Sequence, residues 1–318
     1  MDSIEVKVIR KTQEAQDIVS FELARADGAP LPPFSAGSHL DVQVPGGLTR
    51  QYSLCNDATE NHRYRIAVLR DPASRGGSVA MHDAVNEGDL ILVSPPKNHF
   101  PLQHSQRTLL FAGGIGVTPL LCMAQRLAAI DADFTLHYCT RSAERTAFQA
   151  EIAASPFANR VHFHFDAGEA KQKLDIASAL GSAAPGKQLY VCGPGGYIDY
   201  VVNAAKAQGW SSDCIHLEYF GAAKQDTSGD GGFNIKIASS GNTYVVGATQ
   251  NIITVLKDNG IEILTSCEQG VCGTCITRVL EGEPDHRDMY FTDDEKAKND
   301  QFTPCCSRSK SAVLVLDL

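Results

Sequence analysis

Cys267-Glu268-Gln269-Gly270-Val271-Cys272-Gly273-Thr274-Cys275, with Cys305 well downstream, is the stretch that decides how this chain is read. Three thiolates spaced C-x4-C-x2-C plus a distant fourth form the ligand pattern of a plant-type [2Fe-2S] cluster, a centre that moves single electrons. Gly270 and Gly273 allow a tight bend around an inorganic core, with backbone amides free to face the sulfurs. A structural zinc site is the bland alternative, but zinc knuckles use paired C-x2-C units, and this region has one. The expected ligands are Cys267, Cys272, Cys275 and Cys305. Cys306 competes for the last place.

The rest of the composition sets bounds. A chain of 318 residues is too long for one ordinary core, so two or three domains are expected. No run of apolar residues is long enough to span a bilayer. The start, MDSIEVKVIRK, lacks the apolar stretch of a secretory signal. Cys55, Cys122, Cys139, Cys192, Cys214 and Cys306 are scattered without a disulfide framework, which fits a cytoplasmic protein with reduced thiols. A net charge of −9 argues against nucleic acid as a partner. From Lys224 onward nine basic residues face fourteen acidic ones. Asp285, Asp288, Asp293, Asp294 and Glu295 are therefore either an ordinary solvated face or a docking surface for a basic protein.

Upstream, the rhythm changes twice. Up to about residue 103, Ile4-Ile9, Ile18-Leu23, Leu40-Val44, Arg50-Leu54, Tyr64-Leu69 and Leu90-Val93 read as short strands, which predicts an antiparallel barrel. Strands at Thr108-Ala112, Phe134-Cys139, Val161-Phe165, Gln188-Cys192 and Ile215-Tyr219 then alternate with helices starting near Pro119, Glu144, Asp175 and Gly196. Such alternation predicts a parallel sheet with crossover helices. Thr118 is expected as the cap of the first of these helices, with Pro119 at its first position. The polar, glycine-rich stretch 221–232 reads as a linker, and mixed β structure with a helix at Thr249-Asn259 surrounds the cysteine loop.

Four strings in these blocks suggest ligand contacts. In Arg50-Gln51-Tyr52-Ser53-Leu54, Arg50 can fork onto a phosphate and Tyr52, on the same strand face, can cover a ring. Alone the string is weak, and a surface Arg beside a half-buried Tyr accounts for it more simply. Arg75-Gly76-Gly77-Ser78-Val79 leads into a helix at Met81-Asn86, either an anion site or a plain helix entry. Ala112-Gly113-Gly114-Ile115-Gly116-Val117-Thr118-Pro119 joins strand to helix as a pyrophosphate turn would, with Pro119 where a final Gly is usual. Cys192-Gly193-Pro194-Gly195-Gly196 closes another strand; Cys192 is either part of that cleft or a small buried hydrophobe.

Taken in order, RQYSL, RGGSV, GGIGVTP, VCGPGG and CEQGVCGTC with Cys305 resemble the phthalate dioxygenase reductase family over essentially the whole chain. The resemblance implies an antiparallel flavin-binding β-barrel (1–103), a parallel α/β nicotinamide-binding domain (104–223), a linker (224–231) and a β-grasp plant-type ferredoxin domain (232–318). It implies FMN, with Arg50, Gly76, Gly77 and Ser78 at its phosphate and Gln51, Tyr52, Ser53, Ala67, Val68, Arg70 and Phe220 about the ring. Gly114, Gly116 and Thr118 would cradle the dinucleotide, and Cys192, Gly193 and Pro194 would sit beside the nicotinamide, so Ser53 and Cys192 are the expected catalytic side chains. NADH is expected from the resemblance, although Arg141 could accept the 2′-phosphate of NADPH.

The implied activity is that of an oxygenase reductase. Nicotinamide gives two electrons as hydride, flavin releases them singly, and the cluster hands them to a separate Rieske non-haem iron oxygenase. No protein acid or base is required, so His39, His82 and His99 are expected in structural roles. The resemblance favours a monomer. A stand-alone flavin and iron-sulfur oxidoreductase, or an electron carrier serving another acceptor, is the alternative.

Overall fold

The computed structural model describes residues 3–73, 76–221 and 227–318. Arg75 and the expected boundary at 223/224 lie outside them. The chain divides into two compact units, 1–220 and 221–318.

The first unit opens with β1 (Ile4–Ala15), β2 (Ile18–Arg25), β3 (Ser38–Val44), β4 (Leu48–Ser53) and β5 (Tyr64–Leu69), then α1 (Gly77–Ala84), β6 (Leu90–Val93) and β7 (Lys97–Asn98). The antiparallel sheet runs β4-β3-β6-β1-β2-β5, with β7 on β3. A bridge between Leu54 and Ile66 joins its ends and closes a barrel. Period-2 alternation turns Val6, Val8, Phe21, Leu23, Leu40, Val42 and Ile66 inward, all fully buried. Each such side chain contributes roughly 1.5–3 kcal/mol. β1 runs past the expected Ile9 because shifts at Val8/Arg10 and Gln13/Ala15 keep its polar half paired with β2. α1 starts earlier than expected, directly after Gly76, whose φ of 88° is left-handed.

The second half of this unit is a parallel sheet of β8 (Arg107–Gly113), β9 (Phe134–Thr140), β10 (Val161–Phe165), β11 (Lys187–Gly193) and β12 (Ile215–Tyr219), ordered β10-β9-β8-β11-β12. The crossovers carry α2 (Val117–Ala129), α3 (Gln149–Ala154), α4 (Ile176–Leu180) and α5 (Gly195–Ala207). Two helix starts differ from expectation. Thr118 does not cap α2: a 3₁₀ turn at Gly114–Gly116 runs straight into the helix, whose cap position is Gly116. Thr118 lies inside the first turn, where its hydroxyl donates to the Ile115 carbonyl. Pro119 is tolerated there because first-turn N–H groups have no intrahelical acceptor. Glu144 belongs to a lone 3₁₀ turn at Ala143–Arg145, and α3 begins only after Phe148, which has φ of 59°.

The barrel and the parallel sheet share a core in which Ile18, Ala36, Cys55, Ala67 and Phe100 pack with Leu110, Leu120, Leu136 and Tyr138. Arg65 of β5 spans the same junction, forking onto Glu151 of α3 at 2.6 and 2.8 Å and lying over the Phe148 ring.

The second unit contains β13 (Phe233–Ile237), β14 (Thr243–Val246), α6 (Ile252–Asp258), β15 (Thr277–Glu281), β16 (Pro284–Asp285), α7 (Asp293–Lys296), β17 (Gln301–Phe302), β18 (Arg308–Ser309) and β19 (Val313–Leu316). Its main sheet runs β14-β13-β19-β15-β17, with β13 and β19 parallel. Ile252, Val255 and Leu256 of α6 bury themselves in the sheet's core, a β-grasp arrangement. Arg287 grips Asp230 at 2.5 and 3.0 Å, and Arg308 reaches the same carboxylate at 3.3 Å, fastening the N-terminal edge of this unit.

Candidate active site and iron-sulfur centre

In an open parallel sheet, ligands collect at the carboxyl ends of the strands where the order reverses. Here that point lies between β8 and β11, the first strand and the fourth. Gly113-Gly114 leave the end of one and Cys192-Gly193-Pro194 the end of the other. Glycine at 116 answers to this junction. A Cβ there would stand 2.2 Å from the Cys192 carbonyl oxygen and 2.6 Å from the Gly193 nitrogen. Gly114 is different: its φ is +55° and open space surrounds it. Thr118 is buried, Pro194 is the cap residue of α5, and Arg141 is exposed at the end of β9.

The barrel presents β4 to this cleft. Ser53 Oγ donates to Glu218 Oε2 at 3.5 Å, across from the barrel to β12. Glu218 is the register partner of Cys192. Ser53, Cys192 and Glu218 therefore converge where the two halves of the unit meet. Burial pushes the Glu218 carboxyl from its ordinary 4.5 up to about 8, against the weaker opposing effect of the Ser53 hydroxyl. Burial, and then the neighbouring Glu218, hold the Cys192 thiol well above its usual range. Phe220 follows β12 directly and is exposed.

On β4 the alternation separates the expected flavin residues into two sets. Arg50 and Tyr52 share one face, and burial raises the Tyr52 phenol. Gln51 turns the other way and donates to Asp41 at 2.9 Å, beside His39 and the Lys97–Asp41 ion pair. Gln51 thus belongs to a buried polar network. His39 stacks on His99 within it, and His82 meets the Val68 carbonyl oxygen. The Arg50 side chain crosses the start of α1, where a Cβ on Gly77 would fall 2.8 Å from its Cγ and Nε. The absent methyl group lets the Arg50 side chain lie against a helix N-terminus, a pairing of positive groups that suits a phosphate. Ser78 Oγ accepts from Asp71 N at 3.1 Å. Arg70 forks onto Asp83 at the surface. Ala67 and Val68 are buried in β5.

In the second unit Cys267, Cys272, Cys275 and Cys305 are all buried. Their thiols meet in two pairs, Cys267 with Cys272 and Cys275 with Cys305. The amides of Gln269 and Thr274 point at the sulfurs of Cys267 and Cys272, at 3.4 and 3.5 Å. Four thiols in two pairs with backbone N–H donors fit a [2Fe-2S] cluster, which needs two sulfurs on each iron. Cys306 also touches Cys305, but its thiol is held by the Thr303 and Ser307 hydroxyls and is wedged under Gly270. The loop glycines have protein neighbours: a Cβ on Gly270 would come 2.3 Å from Cys306 Sγ, and one on Gly273 2.5 Å from the Tyr290 ring. The acidic stretch divides as well. Asp285 pairs with Arg287 at 2.7 Å and Asp288 is buried, so neither forms part of an open acidic face. Asp293 and Asp294 are exposed.

A family model described as a 2Fe-2S iron-sulfur cluster binding domain matches residues 235–310. Another, described as the N-terminal domain of a dimethylamine monooxygenase subunit DmmA-like family, matches 91–215. The chain is 55% identical over 316 residues to the vanillate O-demethylase oxidoreductase of Pseudomonas sp. (strain HR199 / DSM 7063), covering 99% of this chain and 100% of that one. It is 43% identical over 317 residues to the phthalate dioxygenase reductase of Burkholderia cepacia, covering 99% and 97%. The solved structure of phthalate dioxygenase reductase, described as modular for electron transfer from pyridine nucleotides to [2Fe-2S], matches with a TM-score of 0.80 at 42% identity, covering 99% and 98%. The chain belongs to the phthalate dioxygenase reductase family.

As a member of that family it is an oxidoreductase of the oxygenase-reductase type. Among the described residues no helix is long and apolar enough to cross a membrane. Sequence reasoning passed over Glu218 as a functional group. The available signal was its place near the carboxyl end of the last parallel strand, where an acid has no packing reason to be.

Proposed function

We propose that this chain is the reductase component of a multicomponent oxygenase of the aromatic O-demethylase kind, carrying electrons from NADH through FMN to its [2Fe-2S] cluster. The electrons then pass to a Rieske-type oxygenase. The observation that carries this reading is the meeting of Ser53, Cys192 and Glu218 at the sheet's reversal point, in a chain that also holds four paired cysteine thiols. When bound, the flavin converts a two-electron hydride donor into a source of single electrons.

The residues divide the work. Arg50, Gly76, Gly77 and Ser78 bind the FMN phosphate, while Tyr52, Ser53, Ala67, Val68 and Phe220 flank the ring. Gly114, Gly116, Thr118 and Arg141 hold the dinucleotide, and Cys192, Gly193 and Pro194 seat the nicotinamide. Gln51 acts at one remove, by fixing β4 through Asp41. Cys267, Cys272, Cys275 and Cys305 hold the cluster. Asp293 and Asp294 offer exposed negative charge to an oxygenase surface. The protein works as a monomer in the cytoplasm, where its thiols stay reduced.

Cys272→Ser tests the route. NADH-dependent reduction of a two-electron dye should persist while reduction of one-electron protein acceptors is lost. A Cys272→Ser protein that still drives demethylation by its oxygenase overturns the reading. Comparing kcat/KM for NADH and NADPH tests the donor; a strong preference for NADPH overturns that part alone.

A further inference from the structure

The turn after β16, His286-Arg287-Asp288-Met289-Tyr290-Phe291, leans directly on the cysteine loop. Met289 N donates to the Gly270 carbonyl at 3.0 Å, and a Cβ on Gly270 would come 3.0 Å from Asp288 Cα and Cβ. The Tyr290 ring covers Gly273. One side chain organises this turn. Asp288 Oδ2 accepts from Tyr290 N at 3.1 Å and Phe291 N at 2.8 Å, and its side chain has no exposure to solvent.

The other carboxylate oxygen has a different setting. Asp288 Oδ1 is buried and makes no hydrogen bond among the described residues. It lies 3.5 Å from His286 Nδ1, and both nitrogens of that buried ring are likewise without a hydrogen bond. Lys296 Nζ donates to the Asp288 main-chain oxygen at 2.7 Å and stays 3.9 Å from Oδ2. Burying a carboxylate so incompletely paired costs free energy. If Asp288 served only to shape the turn, a neutral side-chain amide could accept the same two N–H groups without that cost.

We propose that Asp288 is a positioning residue for the iron-sulfur centre, whose Oδ2 props the cysteine loop and whose buried negative charge lowers the reduction potential of the cluster. Reduction of a cluster held by this loop would add one electron, and hence one negative charge, to the loop against which Asp288 packs. A fixed charge so placed in a buried setting opposes it. Lys296 partly offsets the same charge.

The inference rests on the [2Fe-2S] reading of Cys267, Cys272, Cys275 and Cys305, and the experiment separates the two. Holoprotein is titrated potentiometrically, with the electron paramagnetic resonance signal of the reduced cluster as readout. If the unaltered protein shows no such signal, the cluster reading itself fails. Asp288→Asn keeps an oxygen for both N–H groups and removes the charge. It should raise the cluster's midpoint potential by about 59 mV, a tenfold change in the ratio of oxidised to reduced cluster. A cluster-loaded Asp288→Asn protein with an unchanged or lowered potential overturns the proposal. Lys296→Met should lower the potential, by less. If Asp288→Asn does not retain its cluster, that variant decides alone, and an unchanged or raised value overturns the proposal.

Discussion

Glu218→Gln should make the first unit more stable, by a margin that opens above about pH 5 and is complete once pH passes about 8. The carboxyl sits against Ser53 and Cys192, and burial lifts it from 4.5 to about 8. A folded-state value above the unfolded one means that the folded protein binds the extra proton between those two values. Stability therefore falls as pH rises through that window and levels off beyond it. At ~1.36 kcal/mol per pH unit, the full penalty of holding Glu218 ionised reaches about 5 kcal/mol. Glutamine keeps the shape and the acceptor for Ser53 but never ionises. The stability difference between Glu218→Gln and the parent should then be small near about pH 5 and grow to roughly 3–5 kcal/mol by about pH 9. The assay is convenient because Trp210 is the sole tryptophan and lies buried in this unit. Urea unfolding followed by its fluorescence reports the first unit directly. In the parent, an infrared carbonyl band of a protonated acid should be visible at neutral pH and disappear in the variant. A stability difference that stays constant across the pH range would refute the reasoning, since no shifted carboxyl would then be titrating.

Two glycine substitutions should separate packing from binding. Gly116→Ala drives a methyl group into the Cys192 carbonyl at 2.2 Å, backbone against backbone, and should cost about 2–4 kcal/mol of first-unit stability by Trp210 fluorescence. Gly77→Ala meets first the Arg50 side chain, at 2.8 Å, which can swing aside, so the fold should persist while FMN affinity by equilibrium dialysis drops about tenfold. Cys305→Ser should abolish the visible absorbance of the cluster and Cys306→Ser should retain it; the reverse pattern would reassign the fourth ligand. Glu151→Gln weakens the fork with buried Arg65, whose partner is 40% exposed, and should cost only about 1–2 kcal/mol in the same unfolding assay.

The elements most legible from sequence were those whose signal is local and periodic. β5, β6, β10 and β12 begin and end where alternation and turn residues put them, because a half-buried strand must alternate wherever it lies in the fold. The polar half of β1 escaped notice because its pairing with β2 is set by two irregular steps and not by an apolar pattern. Thr118 misled for a related reason: a hydroxyl before a proline is a sound cap signal, yet the 3₁₀ turn ahead of it, fixed by Gly116 against β11, had already started the helix.

The site residues divide along the same line. The cysteine spacing is readable because one short loop supplies three thiols, and metal geometry ties spacing to chemistry. Glu218 and Ser53 are 165 positions apart, and neither motif contains any mark of the other. Their meeting depends on the barrel packing against a particular edge of the parallel sheet. Asp288 makes the same point more sharply. In the sequence it counts among five acids suggestive of an exposed face, and in the fold it is fully buried against Gly270. A charge pattern reports how many acids a segment holds. Whether one of them screens a surface or sets the field at a redox centre depends on which glycine it packs against, and that contact joins positions whose relation only the folded chain reveals.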